Sequence, residues 1–284
     1  MAKDTVFRKK ATINARGRLM DLGNPQVMGI INLTPDSFFA GSRKPAVADA
    51  LQQAGQMLAD GATMLDLGAY SSRPGATDIS IQEETDRLIP VVEAVVQQYP
   101  DAVLSIDTFR AQVAEAAIKA GAHIINDIGG GQLDTNMFAT IARLQVPYIL
   151  MHMKGTPQTM VQQAQYQDVF SEVFDYMVER YELLRSMGIH DVIIDPGFGF
   201  AKTAEHSYTL MNRLQEFNRL QLPMLVGISR KRMIYGVLGT TAAEALNGST
   251  VLNTIALTMG ANILRVHDVK EAVEAVKLYK KCLT

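Results

Sequence analysis

Eight short apolar runs recur along the chain, and each gives way to polar residues. Val27-Met28-Gly29-Ile30-Ile31 ends in Asn32, and Met64-Leu65-Asp66-Leu67-Gly68 leads to Tyr70-Ser71-Ser72-Arg73. Val103-Leu104-Ser105-Ile106 ends in Asp107, Ile124-Ile125 in Asn126-Asp127, and Tyr148-Ile149-Leu150-Met151 in His152. Val192-Ile193-Ile194 ends in Asp195, Met224-Leu225-Val226 leads to Ser229-Arg230-Lys231, and Ile263-Leu264 leads to Arg265-Val266-His267. A helical pattern follows nearly every run. Val47, Ala50, Leu51, Ala54 and Leu58 recur at helical spacing until Gly61, and Val113, Ala117 and Ile118 precede Gly121. Val169, Val173, Phe174, Met177, Tyr181 and Leu184 form an apolar stripe ended by Gly188. Ser80 with Glu83, Thr241 with Glu244, and Asp268 with Glu271 read as helix caps.

Strands that are apolar on both faces belong to parallel sheets covered by helices on each side. Alternating βα units of that kind build either a closed barrel or an open doubly wound sheet. An open sheet concentrates its polar residues at one switch point, whereas here they follow all eight runs. The pattern therefore predicts an α/β fold, a TIM-type (β/α)8 barrel, with the active face at the C-terminal ends of the strands. Ala11-Thr12-Ile13 and Arg18-Leu19-Met20 flank Asn14-Ala15-Arg16-Gly17 and predict a short N-terminal β-hairpin, placed to cap the bottom of the barrel. No linker divides the chain, so residues 1–284 are expected to form a single domain.

Composition narrows the partners. The chain is 284 residues long and 48% hydrophobic, which suits one barrel of ~250 residues or more. Its net charge is −2 with no basic stripe, which argues against nucleic acid. No run is long enough to span a bilayer, and the N-terminus has no apolar signal core. Cys282 is the one cysteine, so disulfide frameworks and cysteine metal sites are excluded. A cytoplasmic location is expected.

The strand ends suggest the chemistry. Arg265 and His267 alternate, so both can face one side. With Lys231 they sit after strands seven and eight, the usual phosphate site of such barrels. Arg grips an anion with two N–H groups and His adds a donor that can be charged; the alternative is a solvated basic rim. Asp107 and Asp195 end core strands, with Asn126 between them, and suit a polar heterocycle rich in N–H donors. The alternative is a helix cap, or an ion pair with Arg110 or Lys202. Asn32 offers an amide oxygen that can bind Mg²⁺, or it forms a turn in Asn32-Leu33-Thr34-Pro35-Asp36. His152 reads as structural and Met151 as a flat apolar wall. Gly129-Gly130-Gly131 and Gly197-Phe198-Gly199-Phe200 lack the spacing of a Walker or dinucleotide loop.

Seven segments in order resemble the signatures of the dihydropteroate synthase family, from about Gly29 to the C-terminus. They are Met28 to Phe38, Asp66 to Gly75, Ser105-Ile106-Asp107-Thr108, Asn126-Asp127-Ile128, Asp195 to Phe200, Gly227-Ile228-Ser229-Arg230-Lys231 and Arg265 to Val269. The resemblance implies a transferase that joins 6-hydroxymethyl-7,8-dihydropterin pyrophosphate to 4-aminobenzoate, giving dihydropteroate and pyrophosphate. It also implies Mg²⁺, sulfonamides as competitors and a homodimer, for which Val251 to Leu257 is a candidate face. By the same resemblance, Asp107, Asn126, Asp195 and Lys231 hold the pterin between Ile128 and Met151. Asn32, Arg265 and His267 take the pyrophosphate with Mg²⁺, Ser72 belongs to the shared pterin and pyrophosphate set, and Ser72, Arg73, Pro74, Phe200, Ser229 and Lys231 surround 4-aminobenzoate. Asp107, Lys231, Arg265 and His267 are the implied catalytic groups of a dissociative reaction. Three positions depart from the family pattern: Ala40 stands where many members carry an acid, Tyr70 where many carry Glu, and Ser72 where many carry Thr. A methyltetrahydrofolate-dependent methyltransferase barrel would bind pterin in a similar way, and a non-catalytic homologue is a third reading. Arg73-Pro74-Gly75 and Ser229-Arg230-Lys231 match the synthase, and all the matched site residues are present.

Overall fold

The predicted hairpin turns on two residues with left-handed backbone, Arg16 (φ 54°) and Gly17 (φ 89°). Such a turn matches the twist of paired strands. It joins β1 (Thr12–Ala15) to β2 (Arg18–Asp21). The loop is shorter than the sequence suggests, because Asn14 and Ala15 remain in β1 and pair with Leu19 and Arg18. The computed structural model of the chain describes residues 12–33, 43–73 and 75–283. Pro74 and Ala40, like the rest of the first loop from Thr34, lie outside the described residues.

Eight parallel strands follow: β3 (Gln26–Asn32), β4 (Met64–Gly68), β5 (Val103–Asp107), β6 (Ile124–Asp127), β7 (Tyr148–Met151), β8 (Val192–Asp195), β9 (Leu225–Val226) and β10 (Ile263–Val266). They neighbour one another in the order β8-β7-β6-β5-β4-β3-β10-β9. A parallel bridge between Ile194 and Met224 brings β8 against the chain entering β9 and nearly closes the barrel. Outside it run α1 (Arg43–Ala59), α2 (Ile81–Gln98), α3 (Ala111–Lys119), α4 (Met137–Leu144), α5 (Val169–Ser186) and α6 (Ala204–Asn212). A 3-10 helix (Leu214–Leu220), α7 (Arg232–Leu238), α8 (Leu246–Thr258) and α9 (Val269–Cys282) complete the shell. No helix among the described residues is long and apolar enough to cross a membrane.

The core has two compartments. The larger lies between strands and helices and takes their apolar stripes. The smaller fills the bottom of the barrel with one side chain per strand: Met28, Met64, Val103, Ile124, Ile149, Ile193, Leu225 and Ile263. Ile13 and Ala15 of the hairpin, with Leu22, pack on that ring. The hairpin therefore closes the bottom, as the sequence suggests. The Arg16 guanidinium fastens it by donating to the carbonyls of Ile118 and Ala122 at 3.0 and 3.1 Å.

Two of the three predicted caps come out differently. Ser80 does cap α2, accepting from the Glu83 amide at 3.1 Å. Thr241 and Glu244 instead close a turn ahead of α8, with the Thr241 hydroxyl donating to Glu244 at 2.9 Å. Asp268 precedes α9 without a side-chain capping bond, because Arg230 takes both its oxygens at 2.8 Å. A charge-assisted bidentate pair outcompetes the neutral amide donors of a helix end.

Candidate active site at the mouth of the barrel

Side chains two residues apart on a strand share a face. The ring of Met28, Met64 and their neighbours therefore fixes what comes next above it: Ile30, Asp66, Ser105, Asn126, Met151, Asp195, Gly227 and Arg265. One layer of the barrel interior is thus mostly polar. A layer higher, at the mouth, come Asn32, Gly68, Asp107, Ile128, Ser229 and His267. Gly68 makes room there, since a Cβ would sit 3.2 Å from that of Asp107.

Arg265 is the hub. Its Nε donates to Asp66 Oδ2 at 2.5 Å and its Nη2 to Asp107 Oδ2 at 2.6 Å. The Asn126 amide donates to the same Asp66 oxygen at 3.0 Å. Burial disfavours the charge on Arg265, but Asp66 and Asp107 outweigh it and raise its pKa. The ion-pair alternatives for the carboxylates are overturned. Arg110 pairs with Glu84 and Asp78, both at 2.9 Å. The Lys202 amine lies 2.9 Å from His152 Nδ1 and donates to the carbonyls of His152 and Phe200. Burial pushes Lys202 well below its ordinary pKa and His152 to about 2. His152 is structural, its ring edge-on to Tyr176.

Asp195 accepts the Gly197 amide on Oδ1 at 2.8 Å, and burial raises its pKa against the pull of Lys231. Gly197 has φ 72°, and a Cβ there would fall 2.1 Å from the His152 carbonyl oxygen, so only glycine fits this turn. Lys231 donates to the Phe198 carbonyl at 2.5 Å, with its amine 4.6 Å from the centre of the Phe200 ring. Burial lowers Lys231 to about 8, with Asp195 opposing. Ile128, Met151 and Phe200 meet in an apolar cluster with Met153, Met160, Ala201, Phe109 and Leu133. Asp127 shapes the loop beside Ile128, accepting from the amides of Gly129 and Gly131 at 2.7 and 2.8 Å.

The His267 ring stands partly in solvent at the mouth, where desolvation, together with the neighbouring Arg265 charge, lowers its pKa. Its Nδ1 lies 3.1 Å from Ser229 Oγ, which also accepts the His267 amide. Of the Ser229-Arg230-Lys231 run, Arg230 turns away (φ 55°) onto Asp268 and the carbonyls of Ala242 and Ala243. Asn32 ends β3 at the mouth. Ser72 is half-buried and Arg73 exposed on the loop after β4. Among the described residues no side-chain hydrogen bond or ion pair joins either of them to the Lys231–Phe200 pair.

Sequence reasoning missed Asp66 as a site residue. Its signal was available: a carboxylate inside a buried strand must find a partner, and two-residue alternation puts it on the face of Asn126 and Arg265. Asp66 Oδ1, Ser105 Oγ and Asn126 Oδ1 are buried with no hydrogen-bond partner among the described residues.

The carboxylates carry a pH signature. Burial raises Asp107 to about 7 against the opposing pull of Arg265. In the unfolded chain the group titrates near its ordinary value, so between about pH 4 and 7 the folded state holds a proton that the unfolded state has lost. Asp107 therefore stabilises the fold at low pH, and that contribution fades as pH rises to about 7. Asp107→Asn is expected to flatten the decline of unfolding free energy over this range in denaturant titrations. A slope equal to that of the parent protein would refute the assignment.

A model of the pterin binding enzyme family matches residues 28–267. The chain is 44% identical over 272 residues to the dihydropteroate synthase of Escherichia coli (strain K12), covering 95% of this chain and 96% of that one. It is also similar to the Yersinia pestis dihydropteroate synthase solved with a sulfonamide drug complex, at TM-score 0.90 and 42% identity, covering 96% of this chain and 99% of that one. The Xanthomonas albilineans dihydropteroate synthase in complex with 7,8-dihydropteroate superposes at TM-score 0.87 and 35% identity, covering 96% and 99%.

Proposed function

The chain belongs to the pterin binding enzymes and, among them, to the dihydropteroate synthases, and from that premise we propose how the barrel mouth performs the reaction. It is a transferase that condenses 6-hydroxymethyl-7,8-dihydropterin pyrophosphate with 4-aminobenzoate to give 7,8-dihydropteroate and pyrophosphate, a step in folate synthesis. The polar layer carries the reading. Asp66 Oδ1, Ser105 Oγ and Asn126 Oδ1 are buried with no hydrogen-bond partner among the described residues, in the same layer as Asp195, and buried polar atoms call for partners. A pterin edge, with its row of N–H and C=O groups, supplies them.

The pterin lies on Asp107, Asn126, Asp195 and Lys231, with Ile128 and Met151 against its faces. Asn32, Ser72, Arg265 and His267 receive the pyrophosphate. Ser72, Arg73, Pro74, Phe200, Ser229 and Lys231 surround 4-aminobenzoate. The carbon–oxygen bond to pyrophosphate breaks first, and its electron pair leaves with the anion. The pterin methylene is left as a resonance-stabilised cation opposite Asp107. The neutral amine of 4-aminobenzoate then attacks and sheds a proton to solvent. Positioning and charge do the work.

The donor set bears on Mg²⁺. No group of three or more His, Cys, Asp or Glu able to hold a metal occurs among the described residues. Asn32 supplies one hard oxygen, which fits an ion that shares substrate phosphates. When bound there with pyrophosphate, Mg²⁺ would spread the charge of the leaving group.

Pyrophosphate release in the presence of both substrates tests the reading, and no release with either a methyl donor or one substrate alone is expected. If cation formation completes the second site, 4-aminobenzoate binds weakly to the free protein and clearly once pterin pyrophosphate and Mg²⁺ are present. Calorimetry giving equal affinity in both conditions would overturn the order. A sulfonamide should compete with 4-aminobenzoate and not with the pterin.

We also propose that residues 1–284 act as one domain in the cytoplasm, as a homodimer. In α8, Asn253, Ala256 and Leu257 turn inward while Val251 is 50% exposed, leaving an apolar position for a second subunit.

A further inference from the structure

Tyr70 follows β4 and opens the loop that bears Ser72 and Arg73. It is only 9% exposed. Its ring meets Phe109 edge-on, with centroids 4.9 Å apart. The Arg110 guanidinium lies 5.1 Å from the same ring and is itself held by Glu84 and Asp78. Phe109 packs on the apolar cluster of the mouth, which includes Met153 and Met160 of the segment after β7. From that segment Gln158 Nε2 donates to the Tyr70 hydroxyl at 2.8 Å. Burial raises the pKa of the hydroxyl and the Asp78 carboxylate pushes the same way, so it stays protonated. One side chain thus ties together the loops after β4, β5 and β7. Ser72 and Arg73 have no side-chain hydrogen bond or ion pair of their own among the described residues, so Tyr70 is what fixes the base of their loop.

We propose that Tyr70 is a positioning residue, latched by Gln158, that holds Ser72 and Arg73 over the polar layer before 4-aminobenzoate arrives. The inference rests on the proposed 4-aminobenzoate site. The base of the loop is then set by this chain's own packing and does not wait for 4-aminobenzoate to order it.

Tyr70→Phe keeps the ring and its contacts with Phe109 and Arg110 and removes only the hydroxyl. Gln158→Ala removes the other partner. Each is expected to raise KM for 4-aminobenzoate about three- to tenfold, as loss of one hydrogen bond implies, with much smaller effects on kcat and on pterin affinity. The double variant should be no worse than Tyr70→Phe alone, since both changes break the Gln158 bond. Amide hydrogen exchange over residues 70–77 should speed up in both variants, which reads the latch without reference to catalysis. Unchanged exchange, or additive effects in the double variant, overturns the proposal. Arg73→Ala separates the two ideas. If it raises KM for 4-aminobenzoate while Tyr70→Phe does not, the latch fails and the site stands. If Arg73→Ala leaves KM alone, the site assignment fails, and exchange still decides whether the latch exists.

Discussion

Arg265→Met is expected to cost both stability and activity, and by different routes. The guanidinium neutralises Asp66 and Asp107 through bonds of 2.5 and 2.6 Å inside the barrel. Removing one member of a buried ion pair costs about 3–5 kcal/mol, because the remaining charge is stranded. At about 2–4 °C per kcal/mol for a chain of this size, Tm should fall by roughly 6–20 °C. The loss should be greatest at high pH and smaller in acid, where the stranded carboxylates take up protons. Activity is lost separately, because the group proposed to meet the leaving pyrophosphate is gone. Loss of one preorganised donor of this kind lowers kcat by about 10²–10³. Adding Asp66→Asn separates the routes. It removes one stranded charge, so thermal melts should recover part of the stability while pyrophosphate release stays low. Recovery of both together would mean that Arg265 acts only as a structural clamp.

That double role explains what could be read in the chain and what could not. The barrel was legible because its strands are apolar on both faces and each ends in polar residues. The predicted Met64 to Gly68 run coincides with β4, and Tyr148 to Met151 with β7. The hairpin was legible through Arg16-Gly17, although its turn is tighter than expected. The caps at Thr241 and Asp268 were misjudged because capping competes with tertiary partners, and Arg230 lies 38 residues away in sequence from Asp268. That Asp107, Asn126, Asp195 and Arg265 gather at the mouth was legible because a polar residue at a buried strand end has few uses. Their partners were not. Arg265 reaches Asp66 across 199 residues of sequence, and nothing local marks that pairing. The lowered pKa of His267 was equally invisible, since it depends on desolvation at the mouth and on Arg265. Tyr70 stood out only as a departure from a family pattern. Its use became visible once Gln158 and Phe109 were seen beside it.

Asp195→Ala should remove most pterin affinity, more than any other single change in the polar layer. Asp195 is buried at the end of β8, with Oδ1 held by the Gly197 amide. That bond orients the carboxylate, and Oδ2 is left for the proposed pterin ring. Burial already disfavours its charge, so the site bears a cost in the free protein that a ligand's N–H donors relieve. A buried hydrogen-bonding group left without its partner costs about 1–3 kcal/mol. Two N–H donors on one ring edge would then lose about 2–6 kcal/mol, or roughly 30-fold to more than 10⁴-fold in affinity. Asp195→Asn is the sharper variant. It keeps the shape and the bond to the Gly197 amide but turns an NH2 to the ring in place of Oδ2, so it should bind little better than Asp195→Ala. Calorimetry with a pterin analogue measures both. Near-parent affinity for Asp195→Asn would show that the ring does not need an acceptor at Oδ2, and near-parent affinity for Asp195→Ala would move the pterin off this carboxylate altogether. Lys231 supplies an internal check, because Asp195 raises its pKa against burial. With that carboxylate gone the lysine should titrate below about 8, and the pH profile of 4-aminobenzoate binding should shift to lower pH with it.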